Sequence, residues 1–538
     1  MRVPQKPLSS KIIMWFAPIA LFGFILRGLA GRWPIGQGDS ASYVDFLTFK
    51  TSGKPLISNL TLSPWNIYGS HGYIYDSAAQ FCKRNFINAY ANISNIHWHP
   101  HLIVFFTGTI GKIFFFLPAS LYALSFEAVS YTVGILLILK YLRDNHVGAI
   151  NMITLTFILI SSPLFVRSLL GQPYLDRLAF GPLIAFVFFR IKRDIDSWKR
   201  QITNLLFLIS ISLISERAAL TVGLLSLVLS GLSLKRKEIK FHGIYSFSFS
   251  FIPIIWFLYW KNTVATSDYY NNVNIQSAIS NFKMLFSPSR SQNLITYVLV
   301  VLPFLLIIFL GSFKLFLVAV AFLIPNLVVN VGGAELSGYY THYHAMYLPI
   351  ILAFSAISVV EFSRKWKSQS KCSEIAILIL SLSIFLSCFA NFRTFDTNQS
   401  LPTNTLRTVG KSLNSLGLYE PKEYGTLRDA YTKFLKQLNL SSEAHSISAP
   451  ETLFPVLLNA GFKKIDYFPV GVGYSDYLLV PLTSSLDQNP DISIYGLMPK
   501  AIQNISGGCF QEKINNSYQR VQKTNLLGTD FILYSRIQ

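Results

Sequence analysis

Charge is scarce in this chain: Asp, Glu, Lys and Arg make up only 13% of its 538 residues, and the acids number 26. An average soluble domain carries about 25% charged residues, so an ordinary soluble enzyme is excluded. Cysteine is scarcer still, at four. Cys372 and Cys388 belong to the last apolar stretch and its edge, which leaves Cys82 and Cys509 as either two thiols or one bridge in an oxidising compartment. Internal repeats and low-complexity tracts are absent to the eye. What fills the chain instead is apolar: 51% of residues are hydrophobic. They gather into roughly a dozen stretches, each approaching the roughly 20 residues that cross a hydrocarbon core.

The net charge of +20 raises the question of a polyanionic partner, and its distribution answers it. Basic residues cluster between apolar stretches: Arg2, Lys6 and Lys11; Lys140 and Arg143; Arg190, Lys192, Arg193, Lys199 and Arg200; Lys235, Arg236, Lys237 and Lys240; Arg364, Lys365, Lys367 and Lys371. This is the positive-inside pattern of a polytopic membrane protein, and no nucleic-acid partner is implied. With every cluster on the cytoplasmic side, spans fall near 12–30, 119–139, 148–167, 178–190, 202–215, 217–234, 243–260, 295–311, 315–331, 346–362 and 373–391. About eleven crossings place the N-terminus in the cytoplasm and the tail outside, in a membrane such as the bacterial inner membrane. The stretch His101–Leu117 would reverse every later loop if it crossed, so it reads as an interfacial or re-entrant helix. Met1–Gly31 reads as an uncleaved anchor, with a cleaved signal peptide as the alternative.

The expected organisation is therefore a transmembrane domain over 1–391 and a soluble outer domain over 392–538. A long first outer loop, 31–100, and a second, 261–293, stand over the bundle, where loops of this length usually build a site. The tail reads as α/β, with β-like runs at 445–449, 465–468, 477–480 and 531–535 and helical periodicity near 406–416 and 452–460. Asn59, Asn92 and Asn439 begin Asn-x-Ser/Thr sequences in outer segments.

Charges within spans are the informative residues, because they are costly there. Thr203–Leu234 is too long for one crossing and short for two, yet is flanked by basic clusters. It must be a short hairpin, with Ser215-Glu216-Arg217 at the turn, below the outer surface. The Glu216 and Arg217 pair then either locks the hairpin or faces a wet cavity. Asp176 and Arg177 repeat the arrangement at the head of another short span. The first outer loop opens with Gly36-Gln37-Gly38-Asp39-Ser40. Asp39 is a general-base candidate or a helix N-cap, and Asp45 is the weaker candidate. His97 and His99, in His97-Trp98-His99-Pro100, alternate so as to point the same way, as do His342 and His344. Each pair would bind a metal or a phosphate, or anchor the interface; no Cys stands at zinc spacing beside them.

The order of these signals resembles the bacterial and archaeal membrane proteins grouped as domain of unknown function 2079, similar in turn to the GT-C glycosyltransferase superfamily. The matching pieces are Asp39 to Phe46, His97-Trp98-His99-Pro100, Tyr174-Leu175-Asp176-Arg177, Ser215 to Leu220, Thr341-His342-Tyr343-His344 and Ser475 to Val480. Asp176-Arg177 replaces the family's aromatic-His pair, and only Glu216 keeps its type in the hairpin turn. The resemblance implies a GT-C fold that takes a sugar from a polyprenyl-phosphate donor to a lipid or glycan acceptor. It implies Asp39 as base, Arg217 and Arg177 against the leaving phosphate, and Glu216 orienting Arg217 or holding a sugar hydroxyl. His97, His99, His342 and His344 would line the phosphate or acceptor site. No cofactor is called for, and a divalent metal is compatible without being required. The rival readings are a transporter or flippase, whose charges would line a pathway, and a non-catalytic envelope assembly protein.

Overall fold

Twelve residues, Phe180–Ile191, form a helix with most of its side chains buried. The computed structural model describes 18–27, 29, 119–147, 175–191, 198–234, 240–263, 301–302, 304–328, 346–365, 422–438, 446–449, 464–467, 475–482, 514–526 and 529–537, with isolated positions in 103–117, 276–283 and 440–462. These residues are mostly helical, with one small sheet among them. They divide into two compact units. One takes in the described residues of Met1–Gly31, Ser125–Lys261 and Asn271–Pro421, and the other those of Arg32–Leu124, Asn262–Tyr270 and Lys422–Gln538.

Among the described residues the helices include α1 (Ala119–Asp144), α2 (Phe180–Ile191), α3 (Trp198–Ser212), α4 (Glu216–Leu234), α5 (Lys240–Phe249), α6 (Phe251–Thr263), α7 (Phe313–Val328) and α8 (Leu348–Lys365). A buried 3-10 turn, Leu175–Ala179, leads directly into α2. Because α2 is apolar around its whole circumference, it can only be an interior helix. It packs against α1, α3 and α8, and α8 is itself buried along almost all its length. Tyr131 meets Phe180 edge-on at 5.2 Å, and Tyr141 stacks on Phe188 at 4.6 Å. The close approach of α1 and α2 depends on Gly181, where a Cβ would stand 2.5 Å from the Ser130 carbonyl oxygen. Instead, the Gly181 N–H donates to Ser130 Oγ at 3.0 Å, and that hydroxyl donates to the Leu178 carbonyl at 2.8 Å. Small residues serve helix contacts in this way wherever backbones must meet. Helix α1 ends at Asp144, and His146 two residues on, with a φ of 62°, is the left-handed stop that closes a helix C-terminus.

The outer faces of these helices invert the usual distribution. Helix α3 exposes Ile202, Leu206 and Ile209, and the turn after it Leu213, while Gln201, Asn204 and Ser212 are buried together with Leu208 and Ile211. Helices α5 and α6 expose Ile244, Tyr245, Phe251, Ile252, Ile255, Leu258 and Tyr259 while Ser246 and Ser250 are buried. Among the described residues, one helix, Leu121–Asp144, is long and apolar enough to cross a membrane; Pro18–Arg27, Ile244–Tyr259, Phe313–Ile324 and Leu348–Phe362 are shorter apolar helices. The spans expected at 148–167 and 373–391 lie outside the described residues. In the stretch 101–117, the described positions 103, 106, 107, 110 and 113 are helical. Phe106 and Ile113 are exposed there, while Thr107 is buried and accepts a hydrogen bond from the Tyr122 hydroxyl through its carbonyl.

In the second unit, α9 (Lys422–Leu438) accompanies β1 (Ser446–Ala449), β2 (Lys464–Tyr467), β3 (Tyr477–Leu482), β4 (Tyr518–Leu526) and β5 (Thr529–Arg536). The sheet order is β2-β1-β3-β5-β4, with β1 parallel to β2 and β3, and β5 antiparallel to β3 and β4. Phe434 and Leu438 of α9 join Ile447, Leu479, Phe531 and Leu533 in its core. Asp476 fixes β3 against β1: its Oδ2 accepts from Ser446 N at 2.8 Å and Ser446 Oγ at 2.9 Å. The four strands expected from the sequence fall within two residues of β1, β2, β3 and β5, whereas β4 and α9 were not anticipated.

Candidate functional site

The hairpin expected over Thr203–Leu234 is formed by α3 and α4, but its turn is Leu213-Ile214-Ser215, two residues earlier than expected. The shift has a local cause. Ser215 is the N-cap of α4: its Oγ accepts from Ala218 N at 3.1 Å and its carbonyl accepts from Ala219 N at 3.0 Å. Glu216 and Arg217 therefore open the helix rather than lying in the turn, and Glu216 gains from the positive end of the helix dipole.

Arg217 reaches from that first turn to the 3-10 turn ahead of α2, where its Nη1 donates to Asp176 Oδ2 at 3.2 Å. Its Nε lies 4.0 Å from Glu216 Oε1. Asp176 and Arg177, though adjacent, do not pair with each other in this arrangement. Arg177 Nη1 instead donates to Glu127 Oε1 of α1 at 3.2 Å, and the Tyr131 hydroxyl donates to the same oxygen at 2.7 Å. Adjacent residues on a 3-10 turn project about 120° apart, so one of the two faces α4 and the other α1.

Three segments thus bring three carboxylates, Glu127, Asp176 and Glu216, together with two guanidiniums, Arg177 and Arg217. Four of the five side chains are no more than 2% exposed, while Arg217 is 15% exposed. Asp176 Oδ1 is buried and has no hydrogen-bond partner among the described residues. Chemically, this sets a partly open guanidinium beside a carboxylate with one oxygen to spare. A planar guanidinium suits phosphate, and a spare carboxylate oxygen suits a hydroxyl. Arg177 is held in the interior by Glu127 and is the largest fully buried side chain described.

The structure brings together four of the sequence-derived candidates: Asp176, Arg177, Glu216 and Arg217. Asp39, Asp45, His97, His99, His342 and His344 lie outside the described residues, as do Cys82 and Cys509. Among the described residues, no group of three or more His, Cys, Asp or Glu side chains is placed to hold a metal ion. Glu127 was missed by sequence reasoning. Its signal was a lone acid inside the apolar run 119–139, with Tyr131 one turn on. No protein-family model matches the chain, and no curated protein matches it.

Proposed function

We propose that the chain is a multi-pass membrane glycosyltransferase of the GT-C type, related to the domain of unknown function 2079 family. In this reading the inverted helices face lipid. Exposed Ile202, Leu206, Ile209 and Leu213 opposite buried Gln201 and Asn204 would be costly in water and are favourable in hydrocarbon. The observation that carries the catalytic part is the Arg217–Asp176 contact at the head of α2. Twelve helical residues rise only about 18 Å, well short of a hydrocarbon core of about 30 Å. The 3-10 turn ahead of it adds at most about 10 Å, so in this reading Asp176 and Arg217 would lie just inside the opposite surface, where a lipid-linked phosphate would arrive.

In the reaction, the bond between the anomeric carbon and the polyprenyl phosphate oxygen breaks as the acceptor oxygen bonds to that carbon with inversion. The acceptor proton passes to the Asp39 carboxylate, and the departing phosphate keeps the electron pair of the broken bond, its negative charge met by the Arg217 guanidinium. Asp176 and Glu216 hold Arg217 in place. Arg177 has a structural role through Glu127. His97, His99, His342, His344 and Asp45 would bind phosphate or shape the acceptor site.

The test is transfer of labelled sugar from polyprenyl-phosphate donors to extractable lipid or glycan by the full chain in proteoliposomes. Asp39→Asn should lower the rate by about a hundredfold or more, as loss of a general base does. Arg217→Met should lower it by about a hundredfold, as loss of a charge-stabilising donor does. A wild-type chain that moves the intact lipid-linked donor across the bilayer without forming a glycosidic bond refutes the enzyme reading in favour of the flippase.

A further inference from the structure

At the other end of α2 lies a buried cation with no acid paired to it among the described residues. Arg190, in the last turn of the helix, is 7% exposed. Its Nη1 donates to Ser246 Oγ of α5 at 2.9 Å and its Nη2 to Ser230 Oγ of α4 at 2.7 Å. Ser246 in turn donates to Gln201 Oε1 of α3 at 2.7 Å. Arg190 Nε has no hydrogen-bond partner, and no carboxylate pairs with Arg190 among the described residues. A second guanidinium stands close by: Arg200 Nη2 donates to the carbonyl of Phe189 at 2.6 Å, and its Cζ lies 5.0 Å from the Phe189 ring centroid.

The polar lining continues one turn inward. Ser250 Oγ donates to Ser226 Oγ at 2.7 Å, each serine one turn from a ligand of Arg190. Asn204, one turn from Gln201 on the buried face of α3, is 1% exposed, and neither atom of its amide has a partner. The contrast with the opposite end of α2 is one of sign. There, three carboxylates face two guanidiniums; here, the hydrogen bonds of Arg190 go to two serine hydroxyls. A buried cation balanced only by neutral groups costs several kcal/mol, which an anion from outside the chain would offset. Guanidiniums with hydroxyl and amide donors are the set that surrounds a phosphate.

We propose that Arg190 and Arg200, with Ser230, Ser246 and Asn204, form a binding site for a phosphate group, supplied by a lipid headgroup. The rim favours the lipid source. Trp198 and Tyr245 meet edge-on at 6.3 Å beside Gln201 and Ser246, and both are exposed, as aromatic side chains at a membrane interface are. Ile202, Leu206 and Ile244, also exposed, supply the apolar surface an acyl chain needs. Only the lipid source rests on the membrane reading, and nothing here rests on sugar transfer.

The experiment uses the full chain, purified in mild detergent and delipidated. Binding of short-chain phosphatidylglycerol, of inorganic phosphate and of uncharged diacylglycerol is measured separately. Wild type should bind phosphatidylglycerol and not diacylglycerol. Arg190→Met should weaken that binding about tenfold or more, since a charge-assisted hydrogen bond is lost. The paired change Ser230→Ala and Ser246→Ala keeps the charge and should weaken binding several-fold, which guards against a misfolded Arg190→Met. Binding of inorganic phosphate alone, lost in the same variants, keeps the phosphate site and assigns it a free anion. A wild type that binds neither phosphate-bearing probe overturns the proposal, as do variants that bind them as wild type does. Absence of sugar transfer leaves these outcomes unchanged, so the two readings fail separately.

Discussion

Removing Arg177 should destabilise the first unit far more than removing Arg177 and Glu127 together. The pair is made at 3.2 Å between side chains 2% and 0% exposed, so neither charge is solvated by bulk water. Breaking a buried pair from one side leaves the other charge in a poor solvent and costs about 3–5 kcal/mol. Arg177→Met should therefore lower stability by about that amount, and Glu127→Leu by a similar amount for the converse reason. Replacing both by apolar side chains of similar volume removes the desolvation penalty along with the attraction, which is often neutral. Here one cost remains, because the Tyr131 hydroxyl loses its acceptor at 2.7 Å, worth about 1–3 kcal/mol for a buried orphan donor. The double variant should sit about 1–3 kcal/mol below wild type, and adding Tyr131→Phe should recover most of that. The measurement is unfolding in detergent for wild type, both singles, the double and the triple. If the double loses the sum of the singles to within about 0.5 kcal/mol, the residues are energetically independent and the reasoning is wrong.

Gly181→Ala should cost about 1–3 kcal/mol in the same assay, because its Cβ would meet backbone at 2.5 Å and α1 must move from α2. Gly231→Ala in α4, where nothing stands within 4 Å, should instead stabilise by up to about 1 kcal/mol through helix propensity. Ser215→Ala should lose about 1 kcal/mol with the cap of α4, and Ser215→Asp should retain it, both read as shifts in the unfolding midpoint. In the second unit, hydrogen bonds from Lys523 at 2.6 Å and Asn525 at 2.6 Å hold the Asp530 carboxyl below the ordinary carboxylate range. A depressed native pKa stabilises above the unfolded value of about 4 and ceases to do so as pH falls through the native one. Carboxyl carbon shifts of the labelled chain should titrate below those of an unpaired aspartate, and Asn525→Asp should move Asp530 upward.

Sequence patterns located elements better than they located partners. The apolar runs near 178–190 and 346–362 correspond to α2 and α8 because a buried helix is apolar on all sides and needs no periodicity to be noticed. Helix α9 escaped because its sequence is dominated by charged and polar residues; its buried face is the sparse series Ala430, Tyr431, Phe434, Leu435 and Leu438. Strand β4 escaped for a related reason. It is an edge strand that buries only Tyr518 and Leu526 and is bulged between Arg520 and Gln522, which interrupts the two-residue alternation. In the candidate site, Asp176, Arg177, Glu216 and Arg217 were visible as charges in apolar surroundings. Their pairing was not, since which face of a 3-10 turn meets which helix is decided by the packing of α1, α2 and α4. Glu127 was equally conspicuous as a charge, but it stands in the middle of an apolar run, where no turn or segment end points to a site.

The inverted faces of α3 and α5 follow from the charges at the two ends of α2. A helix buried on all sides but carrying Arg190 in its last turn forces its neighbours to turn polar atoms inward, and Gln201, Ser230 and Ser246 are those atoms. Once α3 commits Gln201, Asn204 and Ser212 to the interior, its helical period of 3.6 residues leaves Ile202, Leu206, Ile209 and Leu213 on the opposite side. The apolar exterior and the polar interior are thus one constraint seen from two sides. If that is so, replacing Arg190 by Met together with Ser230→Ala and Ser246→Ala should leave the first unit folded and cost no more than about 1–3 kcal/mol for the hydrogen bond that Gln201 loses with Ser246, because the interior no longer has a charge to solvate. Stability that falls further in the triple variant than in Arg190→Met alone would show that the serines hold α4 and α5 for reasons unconnected with the guanidinium.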